Sequence, residues 1–301
     1  MRPTKISSLP RTAMTAFATT AVLAAPVLAA TTLLTTDADA ATRGRVVEVT
    51  VGTDGFTAPA AVRPGPVAFR VTAADPEGAY LGLVRLRPGV TLQRYLTDLE
   101  KAYGAGDPAA ARAVQREVVM FGGAAVQPGT PVTYGTRLAP GSYHLIDFRE
   151  VGRPGLAAKV RPLTVRPGAG AAAEPRAEAR IVQRETPEGP RFDAPAEIRS
   201  GATVRVVNRS RQYNEAILMP VRPGTTGEQV GAFYRGMDGG PQAPSPFTGG
   251  PAGMVPLSPG RAATFAAPLR PGTYALVTWL RSSDTGRMFA AQGMHRLVTV
   301  R

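Results

Sequence analysis

The chain has no cysteine in 301 residues, only two histidines, one tryptophan and three lysines. Without cysteine there are no disulfides, no thiolate zinc or iron–sulfur sites, no cysteine nucleophile and no lipid anchor on an N-terminal cysteine. Two histidines leave little for a His-rich metal site. No stretch after residue 40 reaches about 18 uninterrupted apolar residues, so that part of the chain has no sequence able to span a bilayer as a helix. With lysine confined to Lys5, Lys101 and Lys159, the excess of 35 Lys+Arg over 22 Asp+Glu is carried by arginine. The arginines are scattered singly, often as Arg-Pro-Gly, with no long block of like charge and no stripe interleaved with aromatics. That pattern argues against nucleic acid and leaves a cell-wall polyanion open as a partner. In abundance are 33 Gly, 29 Pro and an apolar fraction of 44%, enough for one large core or two ordinary ones.

The first forty residues read as an address. Arg2, Lys5 and Arg11 precede an uncharged Ala/Thr/Leu/Val stretch from Thr12 to Thr36, and Ala38-Asp39-Ala40 supplies small residues before Ala41. This three-part pattern predicts a secretory signal peptide over 1–40 and a secreted or extracytoplasmic protein. A retained anchor is the alternative, because the uncharged stretch is long enough to span a bilayer.

The remainder repeats itself. Phe56-Thr-Ala-Pro-Ala-Ala-Val-Arg-Pro-Gly65 matches Phe192-Asp-Ala-Pro-Ala-Glu-Ile-Arg-Ser-Gly201, Leu86-Arg-Pro-Gly-Val-Thr91 matches Val221-Arg-Pro-Gly-Thr-Thr226, and Leu138-Ala-Pro-Gly-Ser-Tyr143 matches Leu269-Arg-Pro-Gly-Thr-Tyr274. Leu163-Thr-Val-Arg166 matches Val298-Thr-Val-Arg301 in the same order. Two homologous domains are expected, 44–166 and 179–301, joined by an Ala/Gly/Pro-rich linker over 167–178.

Within each domain the hydrophobic period is two: Arg45 to Val51, Val67 to Val71, Val132 to Tyr134, Tyr143 to Phe148 and Leu163 to Val165 are short β-branched or aromatic runs bounded by Pro-Gly turns. The expected fold class is all-β, two tandem Greek-key sandwiches, each with a short helical insertion. Thr91 is placed to cap a helix over Leu92–Tyr103, with Leu92, Tyr95, Leu96 and Leu99 on one face and Gly104 as its stop. Asp107 and Pro108 open a second helix, expected to run to about Met120. Thr226 and Gln229 form a capping box for a helix ending near Arg235. Gly236 to Pro259 reads as a Gly/Pro-rich loop, long enough to be either functional or disordered.

Val206-Val-Asn208, Glu215-Ala-Ile-Leu-Met-Pro-Val-Arg-Pro-Gly-Thr-Thr226, Leu269-Arg-Pro-Gly-Thr-Tyr-Ala-Leu-Val277 and the stretch from Gly286 to Met294 resemble the bacterial secreted cupredoxin-like domains, related to plastocyanin and azurin. The resemblance covers nearly all of 179–301 and, through the repeat, extends more weakly to 44–166. It implies copper ligands at positions occupied here by Asn214, Thr278, Phe289 and Met294. Three of the four ligand types are gone, and an amide, a hydroxyl and a phenyl ring cannot replace imidazoles and a thiolate. In the first domain the equivalents are Ala79, Asp147 and, near the lost Met, Lys159. Asp147 shares the inward parity of Tyr143 and Leu145, so an ion pair with Lys159 or a nearby arginine is one expectation. A partly exposed Asp at a loop end is the other.

Five of the six methionines beyond residue 40 lie in the second domain, namely Met219, Met237, Met254, Met288 and Met294, beside His295. Converging thioethers would bind Cu(I), so Met219, Met288, Met294 and His295 are candidate metal ligands for an alternative copper-handling function. Ordinary gap-filling in a core is the competing explanation. A Ser/His/Asp site is not supported, since strand alternation sets His144 and Asp147 on opposite faces and sends His295 to solvent. No catalytic residue and no cofactor is expected, and an uncharacterised enzyme stands as a second alternative. The expectation is a noncatalytic binding or structural module, with a protein or small ligand at the 236–259 loop and the rim near Asn214 and Phe289.

Overall fold

Alternation in the sequence becomes alternation in burial. In β7 (Val132–Leu138) Val132, Tyr134, Thr136 and Leu138 turn inward and the residues between them outward. In a computed structural model describing residues 46–104, 106–170 and 173–301, strands of this kind make up β1 (Val46–Gly52), β2 (Gly55–Thr57), β3 (Ala61–Val62), β4 (Gly65–Ala73), β5 (Ala79–Leu86), β6 (Val118–Val126), β7, β8 (Gly141–Asp147) and β9 (Arg161–Val165). The later part supplies β10 (Ala179–Thr186), β11 (Gly189–Asp193), β12 (Glu197–Ile198), β13 (Val204–Asn208), β14 (Asn214–Pro220), β15 (Ala252–Leu257), β16 (Ala262–Ala266), β17 (Gly272–Val277) and β18 (Arg296–Val300). The segment read as a signal peptide lies outside the described residues.

The strands form two mixed sheets, as the all-β reading requires. One runs β11-β10-β13-β16-β7-β4-β1-β2 and the other β12-β18-β17-β14-β15-β6-β5-β8-β9-β3. Each order reads the same from both ends once β1 is matched to β10, β4 to β13, β7 to β16, β5 to β14, β6 to β15 and β8 to β17. The middle of each sheet joins residues 44–166 to 179–301: β16 pairs antiparallel with β7, Phe265 opposite Tyr134, and β15 with β6, Leu257 opposite Phe121. Residues from both sheets and both segments, among them Phe69, Leu81, Phe121, Leu145, Ile181, Leu218 and Phe265, share one buried cluster. The stretch 167–178, where described, is tied down, since Glu174 pairs with Arg137 at 3.3 Å and with Arg205 at 3.0 Å.

Helices α1 (Leu92–Tyr103), α2 (Pro108–Glu117), α3 (Leu156–Lys159) and α4 (Gly227–Met237) lie between strands. Thr91 caps α1 through its hydroxyl, which accepts the N–H of Arg94 at 3.2 Å, a contact of about 1 kcal/mol. Tyr95, Leu96 and Leu99 are buried and Leu92 partly so. The capping box of α4 is present. Helix α2 stops at Glu117 rather than near Met120, because the β-branched pair Val118-Val119 starts β6, where Val118 pairs with Leu86.

The expected 236–259 loop is corrected more substantially. Its last part is β15, buried at every residue and paired on both sides. Two residues disguise it. Gly253 (φ +135°) lies so close to its neighbour that a Cβ would sit 2.4 Å from the Ala216 carbonyl oxygen. Pro256 falls where the β14–β15 register shifts between Asn214 and Ala216, a bulge that spares the missing N–H. Gly123 in β6 (φ +152°) makes the matching approach, with a Cβ position 1.9 Å from the Leu81 carbonyl oxygen. Before β15 the chain is pinned along β14, with the N–H of Thr248 donating to Pro220 O at 2.9 Å and that of Arg222 to Pro246 O at 3.1 Å.

Candidate functional site

Asn214 opens β14 and Thr278 follows the end of β17, so sheet pairing brings them to one end of adjacent strands. From Thr278 the chain folds back on itself: the N–H of Phe289 donates to Leu280 O at 2.9 Å and that of Met294 to Phe289 O at 3.0 Å. This carries Met294 to Asn214, whose Nδ2 donates to Met294 Sδ at 3.1 Å. The Asn214 oxygen accepts the N–H of Glu215 at 2.9 Å, and Thr278 Oγ1 accepts that of Leu280 at 3.2 Å. Asn214, Thr278 and Met294 have no exposed surface and Phe289 keeps 6%. The four positions thus enclose an amide, a hydroxyl, a phenyl ring and a thioether, all buried. Only the thioether is a soft donor, and it is spent on a hydrogen bond, so this set does not fit a type 1 copper. Burial also removes Asn214 and Phe289 from any ligand-facing rim.

The first-half positions behave differently. Ala79 is buried. The Asp147 carboxylate takes no ion pair from Lys159; its Oδ1 accepts the N–H groups of Tyr80 at 2.8 Å and Arg149 at 3.0 Å. Burial raises its pKa, opposed by those two donors and by the charge of Arg149. The expected pairing fails because backbone N–H groups satisfy the carboxylate without a cation. Lys159 instead holds Glu150 at 2.6 Å, which Arg153 also reaches at 3.1 Å, while Arg149 and Arg153 share Glu77.

The methionines divide between two packed clusters. Met219 and Met288 lie with Ile217, Val230 and Tyr234, Met254 and Met294 lie in the large core, and Met237 is exposed. Among the described residues no group of three or more His, Cys, Asp or Glu could hold a metal ion. His295 is half-buried rather than solvent-facing, with Nδ1 3.0 Å from Ala290 O, and burial lowers its pKa. Alternation along β8 does separate His144 from Asp147.

Sequence reasoning used Glu215 as part of a signature and missed it as a group. It is buried, and its carboxylate accepts the N–H of Trp279 at 2.6 Å. Burial pushes its pKa up to about 7, with the Trp279 donor opposing. The arrangement mirrors the first half, where Asp147 reaches the backbone of Tyr80: in each case a carboxylate extends one strand's ladder to its partner, β14 to β17 here and β8 to β5 there. Glu215 faces a wall of aromatics. Its charge raises the pKa of Tyr80, Tyr103 and Tyr234 further, beyond what burial does. Phe233, Tyr234, Phe247 and Trp279 pack edge to face or tilted at 5.1 to 6.3 Å between centroids. Tyr103 stacks on Phe148 and on Tyr213, both at 6.2 Å, bridging the two segments. Tyr234 Oη and Trp279 Nε1 are buried without a hydrogen-bond partner. The signal was an acid within Asn214-Glu-Ala-Ile-Leu-Met-Pro220, an otherwise largely apolar strand buried on both faces.

No family model and no curated protein matches the chain. Among solved structures it has a likeness to a copper-containing nitrite reductase from Thermus scotoductus SA-01, at 14% identity over 85% of this chain and 61% of that one, TM-score 0.24. The chain therefore spans less than two thirds of that relative. It also has a likeness to auracyanin from Roseiflexus castenholzii, at 22% identity over 40% of this chain and 94% of that one, TM-score 0.25. A multicopper oxidase matches at 13% identity over 85% and 89% of the two chains, TM-score 0.23.

Proposed function

We propose that the protein is an extracytoplasmic tandem cupredoxin-like module in which neither half keeps a type 1 copper centre, and that it serves as a noncatalytic binding or structural component. The observation that carries this is the Asn214–Met294 hydrogen bond at 3.1 Å, made between two vacated ligand positions and sealed by Thr278 and Phe289. Apolar filling takes over the stabilising role of a metal: burying Phe289 contributes about 2 kcal/mol. The matched strand orders of the two halves, each contributing to both sheets, support a duplicated origin. The basic start, uncharged stretch and Ala-x-Ala of residues 1–40 support export. No helix among the described residues is long and apolar enough to cross a membrane.

Titration of the purified protein with Cu(I) and with Cu(II) tests the metal-free reading. Uptake is expected to be no greater than that of a Met294→Leu variant. Stoichiometric binding that the variant loses contradicts it and favours the methionine-based copper function.

A further inference from the structure

Arginines that are isolated along the sequence meet in one place. Arg87 follows β5, Arg116 lies in the last turn of α2, Arg211 precedes β14, and Arg261 follows the turn into β16. With Gln115 and Ser258 they line an open cleft of about 590 Å³ shared by the two segments, and no carboxylate is among its lining residues. Backbone and amide hydrogen bonds hold its frame. The Arg87 N–H donates to Glu117 O at 2.8 Å, and Gln115 Nε2 donates to the Arg211 carbonyl at 2.9 Å. Ser258 locks the β15–β16 turn onto β6, its hydroxyl accepting the Met120 N–H at 2.9 Å and its own N–H donating to Met120 O at 3.0 Å. Arg261 is preset: its guanidinium lies 3.8 Å from the centroid of the Phe121 ring, and its buried Nε has no partner. Arg211 is steadied from outside the cleft by Glu185 at 2.8 Å. Among the described residues Arg87, Arg116 and Arg261 make no ion pair.

Three arginines without an ion pair, Arg87, Arg116 and Arg261, line one cleft that has no acid in its lining, and like charges gathered there repel one another until an anion enters. We propose that this cleft binds an oligoanion carrying two or more phosphate groups. Guanidinium forks match phosphate oxygens in pairs, and three unpaired forks with Arg211 at the edge exceed what one phosphate engages. No aromatic is among the residues lining the cleft, and the neighbouring Phe121 ring is covered by Arg261, so nucleic-acid bases find nothing to stack on. The inference goes beyond the metal-free reading and does not depend on it, since copper and phosphate uptake are measured in separate titrations.

Calorimetric titration of the full protein with tripolyphosphate, and separately with poly(glycerol phosphate), tests it. One tripolyphosphate should bind per chain, and binding should weaken as salt is raised. Arg87→Gln with Arg116→Gln should weaken it by about tenfold or more. A charge-matched control, Arg70→Gln with Arg180→Gln, alters two exposed arginines away from the cleft and should stay within about twofold of the parent. Tighter binding of the polymer supports the proposal with a polymeric source, and binding of tripolyphosphate alone supports it with a free anion. Absent tripolyphosphate binding, equal loss in the control, or tighter binding of a single-stranded oligonucleotide with the same number of phosphates overturns it.

Discussion

Asn214→His, Thr278→Cys and Phe289→His, combined in one chain with the native Met294, are expected to create a type 1 copper site. Asn214 and Met294 already touch, and Thr278 directly follows β17, the strand paired with Asn214's own β14. The fold-back from Leu280 to Phe289 and on to Met294 keeps position 289 on the same short loop. The backbone thus still offers all four positions, and only the donor atoms are wrong. A thiolate and two imidazoles with an axial thioether are the set that holds copper and gives it an intense visible band. Visible absorption and electron paramagnetic resonance should report one copper per chain in the triple variant and none in each single variant. The metal-free triple variant is expected to lose about 2–4 kcal/mol, chiefly because an imidazole fills less of the buried space that the Phe289 ring occupies. A triple variant that keeps the parental circular dichroism yet takes up no copper contradicts the assignment of these positions.

The second large effect concerns Glu215. Burial raises its pKa from 4.5 to about 7, so the folded protein holds this proton more tightly than the unfolded chain does. Its contribution to stability is therefore fully present below about pH 4.5 and declines as pH rises toward 7, where the native carboxyl also ionises. Across that window the loss is about 3 kcal/mol. Glu215→Gln keeps an oxygen for the Trp279 N–H and cannot ionise, so it removes this term. Urea unfolding at about pH 5 and about pH 8 should show the variant gaining roughly 2.5 kcal/mol on the parent between the two conditions. Contributions from Asp147, His144 and His295 are common to both proteins and cancel in the comparison. A gap between parent and variant that does not change with pH contradicts the buried, proton-holding role of Glu215.

Much of the fold was legible because local chemistry and global packing agree. Thr91 before the Leu92–Tyr103 periodicity, the Thr226/Gln229 box and the Val132 to Tyr134 run each name an element that the structure contains, the last of them extending on to Leu138. β15 was hidden because Gly253 and Pro256 look like loop residues, and only tertiary context, a close backbone approach and a bulge, makes them strand residues. The sequence singled out Asn214, Thr278, Phe289 and Met294, whereas the Asn214–Met294 contact and the backbone solution at Asp147 required the path of the chain in space. An ion pair was the natural expectation for a buried Asp, but the N–H groups of Tyr80 and Arg149 lie nearer than any side-chain cation. The arginine cleft was illegible for a simpler reason: Arg87, Arg116, Arg211 and Arg261 sit on or beside four separate elements, and charge scattered in sequence says nothing about charge gathered by folding.

The central claim is that a cupredoxin-like chain has exchanged its metal centre for packed side chains. Elemental analysis of the protein purified from its native source tests this most directly. Copper far below one atom per chain is the predicted result, and copper at one atom per chain, retained through chelation and lost on Met294→Leu, would contradict it.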